Sequence, residues 1–324
     1  MYVYLPPGYD PARRYPLLIW LHSYTDDECE FAKHVAPVID AAVACGDLPP
    51  LVVAAPDGSI KGNSHWFATG SWYVNSCRGR FADYVAHDVV NFMEANFAVC
   101  RDRAGHAIAG FSMGGFGAYS IGLQHADKFH VVGGIAPPLN MRYSGRDGDY
   151  RSDFVPNGTP LREGYRSLEV IGSFYGGLMK VRAFMVVKPV WGRGNEAAAR
   201  VSPDNPIEIL DRLNVQPGQQ DYFVAYGQSD ELNIDAQAES FLHEARRRGI
   251  PVETRADPCG DHSVKYMLSV LPDFFAWLKP RLSCPAGEPT KLSTTSFTSP
   301  HSDPVATRRD EAVLILPSRA TVAN

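Results

Sequence analysis

The stretch AIAGFSMGGFGAY, residues 107–119, constrains this chain more than any other. An apolar run rises to Gly110, a serine stands at 112, and glycines follow at 114 and 115. This fits a tight turn from a buried strand into a helix. Two readings of that turn compete. One is a packing device and nothing more. The other is a nucleophile elbow, in which a strained turn lifts a serine hydroxyl above the end of a sheet. Gly110 and Gly114 flank Ser112 where strand and helix approach closely, so the absence of Cβ is useful there.

The rest of the chain supplies the setting. YPLLIWLH (15–22), LVVAAP (51–56), HAIAGFS (106–112), HVVGGIAP (130–137) and DYFVAYG (221–227) are short, apolar and bounded by turn residues. They read as strands buried on both faces. Helical patterns cover about 30–45, 81–98, 113–126, 235–248 and 263–279. In 235–248, Ala238, Phe241, Leu242 and Ala245 form one apolar stripe, and Gly249 suits the C-terminal cap. This alternation predicts an α/β chain: a mostly parallel central sheet covered by helices on both faces, with right-handed crossovers. Residues 138–205 break the rhythm and read as an irregular insertion over the strand ends, a lid or pocket wall. Residues 283–324 are rich in Ser, Thr and Pro without periodicity and are expected to form a disordered tail, leaving 1–282 as the folded domain.

Composition narrows the function. With 324 residues, 45% apolar and 21% charged, the chain can bury a sizeable core. A net charge of −5 without a basic face argues against nucleic acid. No apolar run reaches the roughly 18 residues that a membrane span needs. The start, MYVYLPPGYD, lacks the character of a signal peptide, so a cytoplasmic location is expected, or a secreted one if an N-terminal segment is missing. Cys29, Cys45, Cys77, Cys100, Cys259 and Cys284 form no CxxC pair and no zinc spacing with histidine; they read as buried or incidental thiols, with a disulfide or two if the protein is exported. No metal motif or phosphate loop is present, and GFSMGGFG lacks dinucleotide phasing, so no cofactor is expected.

A serine hydroxyl needs a base, and the base needs an orienting group, in the chain order Ser, Asp or Glu, His. His243, His262 and His301 lie beyond the last strong strand. His301 is in the tail, and His243 is inside an amphipathic helix. His262, in DPCGDHSVKYM, sits in a loop after a short strand (250–255) and before a helix, where it can reach over a strand end. Asp230, in AYGQSDELN, lies three residues past a strand, with Glu231 as runner-up. Asp235 and Asp261 read as helix caps. The helix beginning near Met113 turns its free N–H groups toward the serine, so the Met113 N–H is a candidate oxyanion donor.

These residues resemble the esterase D / putative esterase family of α/β-hydrolases, which includes S-formylglutathione hydrolases, feruloyl and acetyl-xylan esterases, enterochelin-type esterases and mycobacterial mycolyltransferases. The matching pieces are VYLPPGYDPARRYPLLIWLH, GSWYVNS with FADYVAHDVVNFMEANF, GFSMGGFGAY, YGQSDELN and GDHSVKYM, in that order over roughly residues 1–280. The resemblance implies an α/β-hydrolase fold, Ser112 as nucleophile, Asp230 as acid, His262 as base, and a second oxyanion donor at the backbone N–H of Tyr24. His22-Ser23 stands where the family commonly carries His-Gly, and serine tolerates left-handed angles less well. Trp66, Trp72 and Tyr73 are candidates for the pocket lining or for packing beneath it, and His22 reads as structural. The expected activity is serine-dependent hydrolysis of a small or carbohydrate- or aryl-linked ester through an acyl-enzyme. The alternatives are an acyltransferase of the mycolyltransferase kind and a thioesterase of the S-formylglutathione hydrolase kind.

Overall fold

In a computed structural model, residues 1–62, 70–146, 148–156 and 161–284 are described, together with the backbone of 313–315. Twelve strands are present among them: β1 Tyr2–Tyr4, β2 Leu17–Leu21, β3 Val52–Ala55, β4 Asn75–Ser76, β5 Gly79–Arg80, β6 His106–Phe111, β7 Val131–Ile135, β8 Val170–Phe174, β9 Met179–Arg182, β10 Asp221–Gly227, β11 Glu253–Asp257 and β12 Val313–Ile315. Eight form one sheet in the order β11-β10-β7-β6-β2-β3-β1-β12. From β11 to β3 every pairing is parallel; β1 joins β3 and β12 antiparallel.

Strand alternation feeds two separate cores, because successive side chains point to opposite faces. In β2, Leu17, Ile19 and Leu21 enter one core and Leu18 and Trp20 the other. The first core is closed by residues of the helices Val90–Asn96, Met113–Gln124, Pro206–Arg212 and Ile234–Arg247, with the π-wound turn Tyr84–Val89 ahead of Val90. The second is closed by the helices Ala36–Cys45 and Val264–Leu278. Each fully buried large side chain, such as Trp20 or Phe274, contributes about 1.5–3 kcal/mol of apolar burial. The mostly parallel sheet with helices on both faces is the expected architecture.

The differences are local. The insertion is not irregular throughout: it holds the β8–β9 hairpin and the helices Ala183–Val186, Lys188–Trp191 and Gly194–Val201. Asn233, not Asp235, stands at the N-cap of Ile234–Arg247, and Ser263, not Asp261, caps Val264–Leu278, its hydroxyl accepting from the Tyr266 N–H at 3.1 Å. Gly249 follows its helix at φ +68°, as expected. Of the cysteines read as buried or incidental thiols, or as members of a disulfide or two, Cys100 and Cys284 are disulfide-bonded, while Cys29, Cys45, Cys77 and Cys259 are free and exposed. Most of the expected tail lies outside the described residues; Val313–Ile315 adds a strand to β1.

Candidate active site

Ser112 leaves β6 and starts the helix Met113–Gln124 with φ +54°, ψ −117°, a conformation non-glycine residues rarely hold. The turn is fixed on both sides. The Ser112 N–H donates to Ile135 O at 2.9 Å, and its carbonyl accepts from the Phe116 N–H at 3.0 Å. A Cβ at Gly110 would come within 2.5 Å of Leu21 O, and one at Gly114 would overlap the same carbonyl. The glycines are therefore required by the close approach of β2 to the elbow.

The loops after β6, β10 and β11 all leave the carboxyl ends of parallel strands, where such sheets form their clefts. Ser112 Oγ lies 2.8 Å from His262 Nε2, and His262 Nδ1 lies 2.7 Å from Asp230 Oδ2. Asp230 Oδ1 also accepts from the Leu232 N–H at 2.8 Å, which fixes the carboxylate. Glu231, the runner-up acid, accepts from the backbone N–H of His262 at 2.9 Å and so holds the loop rather than the ring. The Phe111 ring stacks on the imidazole at 5.4 Å. Gly227 and Gly260 let the acid and histidine loops touch, and the Ser229 N–H donates to Gly260 O at 3.0 Å. Burial works against the charged imidazole, but the charge and hydrogen bond of Asp230 outweigh it and hold the His262 pKa above its ordinary value.

Ser23 is absent from the left-handed residues of the chain, so the position does not need a glycine's freedom. Its N–H donates to buried Glu30 Oε2 at 2.8 Å. His22 is structural: its Nε2 accepts from the Gly58 N–H at 2.8 Å and its Nδ1 lies 2.8 Å from Ser23 O. Glu30 was not foreseen; only its place at the start of the helical segment that follows the β2 loop could have marked it. Burial, reinforced by the charge of Asp26, pushes its pKa up to about 7.

Ser112 and His262 open on a cavity of about 1540 Å³, larger than the roughly 300–1,000 Å³ of common ligand sites. Tyr24 and Trp72 line it, as do Met141, Phe174, Met179 and Phe184 of the insertion. The wall is tied to the sheet-end loops. Tyr24 OH donates to Met185 O at 3.0 Å, Trp72 Nε1 to Val186 O at 2.9 Å, and Arg78 Nε to Pro189 O at 3.0 Å. Met113 heads the helix, so its N–H has no intrahelical acceptor; its sulfur accepts from the Trp72 N–H at 3.3 Å. Tyr73 does not line the cavity. It is fully buried, and its hydroxyl accepts from the His22 N–H at 2.9 Å, beneath the loop after β2. Trp66 lies outside the described residues. Among the described residues, no cluster of three or more His, Cys, Asp or Glu could hold a metal, and no helix is long and apolar enough to cross a membrane.

The doubly covered sheet and the serine on a strained strand-to-helix turn define an α/β-hydrolase. The chain belongs to the family described as "Putative esterase", whose model matches residues 1–275. It is 28% identical over 151 residues to the S-formylglutathione hydrolase of Arabidopsis thaliana, covering 43% of this chain and 51% of that one. It is 25% identical over 268 residues to an esterase of Mycobacterium tuberculosis, covering 80% of this chain and 51% of that one. The chain thus spans about half the length of these curated relatives. Among solved structures, it resembles a ferulic acid esterase with a TM-score of 0.63 at 20% identity, over 87% of this chain and 92% of the other. It also resembles an S-formylglutathione hydrolase from Agrobacterium tumefaciens with a TM-score of 0.61 at 16% identity, over 87% and 90%. These two likenesses concern the fold.

Proposed function

We propose that the chain is a serine carboxylic-ester hydrolase with Ser112 as nucleophile, His262 as general base and acid, and Asp230 as the orienting carboxylate. The observation that carries this reading is the continuous line of hydrogen bonds from Ser112 Oγ through both ring nitrogens of His262 to Asp230, at 2.8 and 2.7 Å. With Asp230 accepting from Nδ1–H, Nε2 is left unprotonated and faces the hydroxyl. Ser112 Oγ attacks the ester carbonyl as its proton passes to Nε2. The oxyanion is taken by the backbone N–H groups of Met113 and Tyr24. The imidazolium then gives its proton to the departing alcohol, and water, deprotonated by the same nitrogen, releases the acid from the acyl-enzyme. Trp72 forms part of the substrate pocket.

Hydrolysis of p-nitrophenyl esters from acetate to decanoate tests the reading. Ser112→Ala should lower turnover by about 10⁴-fold or more with an unchanged thermal midpoint. Wild-type turnover in the folded mutant would overturn the assignment. A product that depends on an added alcohol rather than water would move the reading to acyl transfer.

A further inference from the structure

The three most exposed large apolar side chains among the described residues fall within one short stretch: Leu168 at 71%, Tyr175 at 80% and Leu178 at 89%. Leu168 leads into β8, and Tyr175 and Leu178 form the turn of the β8–β9 hairpin. Glycines at 176 and 177, both at positive φ, close that turn. An isolated exposed apolar side chain needs no explanation; three along one short stretch of a chain with an otherwise covered core do. The hairpin is also part of the cavity that holds Ser112 and His262, through Ile171, Phe174, Tyr175 and Met179.

Charge on this stretch runs against the chain as a whole. From 166 to 188 it carries Arg166, Lys180, Arg182 and Lys188, and its one acid, Glu169, is paired with Arg162 at 2.8 Å. The whole chain has a net charge of −5. Apolar side chains flanked by cations suit an interface that offers hydrocarbon beneath an anionic surface. Docked there, the hairpin would bring the wall of the cavity against the layer, so that an ester within it has a short apolar path to Ser112.

We propose that the β8–β9 hairpin docks the protein on anionic lipid surfaces, and that the site takes ester-linked amphiphiles from them. The substrate half of this inference rests on the esterase reading; the docking half does not.

The test is co-sedimentation of the full chain with vesicles, scored without catalysis. Wild type should partition onto vesicles of equal parts phosphatidylglycerol and phosphatidylcholine, bind phosphatidylcholine alone more weakly, and release as salt is raised. Leu168→Ser with Leu178→Ser removes two leucines that lie outside the cavity lining. It should weaken partitioning by about tenfold or more and leave p-nitrophenyl acetate hydrolysis within about twofold. Arg166→Glu, an exposed charge change, should weaken binding to the anionic vesicles alone. No wild-type binding to the anionic vesicles, or equal binding by the double variant, overturns the proposal. So does a wild-type dimer that the double variant converts to monomer, since the apolar tip would then be covered by a second copy. Vesicle binding by a wild type without Ser112-dependent turnover would retain docking and discard the esterase reading.

Discussion

His262 is where folding and the proposed chemistry pull in opposite directions. Its raised pKa means that the fold prefers the charged ring, through Asp230 and against burial. That contribution to stability is complete below the unfolded histidine value and is lost as pH rises through the folded one. The proposed base is the neutral ring, so turnover should climb through the same range. A kcat/KM profile should inflect above the ordinary histidine value of about 6.5. Asp230→Asn removes the strongest opposition to burial and leaves only the weaker charges of Glu231 and Asp261 to resist it, so the inflection should move down while the rate falls by about 10³–10⁴-fold. An inflection unmoved by that substitution would separate Asp230 from the base. Glu30 titrates in the same direction. Its pKa is about 7 in the fold against about 4.3 unfolded, so its stabilisation is full in acid and declines as pH rises from about 4 to 7. Glu30→Gln keeps an acceptor for the Ser23 N–H and removes the charge. Melting at pH 5 and pH 8 should show the variant losing about 3 kcal/mol less than wild type between the two.

The elbow shows how an element is specified by what it touches. Gly114→Ala would favour the helix by propensity, yet its Cβ overlaps Leu21 O. The collision wins: urea midpoints should report a loss of about 3 kcal/mol, with activity falling because Ser112 is displaced. A stable, active alanine variant would show that β2 can move away. The long elements of the fold were legible because their signal is local. Buried strands read as apolar runs between turns, and amphipathic helices read by their stripe, even where Tyr84–Val89 winds as a π turn. The three residues of β1 and the β8–β9 hairpin were not legible, since three residues carry no period and the hairpin's alternation is obscured by apolar side chains on both of its faces. The caps were misread for a related reason. Asp235 and Asp261 have the right chemistry, but the backbone turns into the helix at Asn233, whose side chain makes no cap hydrogen bond, and at Ser263, whose hydroxyl does.

At the scale of the whole molecule, Cys100–Cys284 joins positions 184 residues apart and ties the end of the last helical segment to the region before β6. Peptide mapping without reductant should recover this pair. Cys284→Ser or reductant should each lower stability by about 2–5 kcal/mol, with no further loss when they are combined. Additive losses would mean that the two thiols are not partners. The cavity belongs to this scale too, since its floor comes from the sheet-end loops and its wall from the insertion, held by Tyr24, Trp72 and Arg78.

The amino-acid sequence alone determined the layered α/β architecture, the glycine-flanked turn at Ser112, and the short roster of acids and histidines able to follow it. These are properties of neighbouring residues, set by backbone sterics and by the periodicity of burial. Tertiary structure decided that Asp230 faces the imidazole while Glu231 holds its backbone, that Tyr73 lies beneath the loop and Trp72 beside the cavity, and that Cys100 finds Cys284. Each of those outcomes depends on where loops distant in sequence come to rest: Ser112 and His262 are 150 residues apart and meet only because β6 and β11 end at the same edge of one sheet.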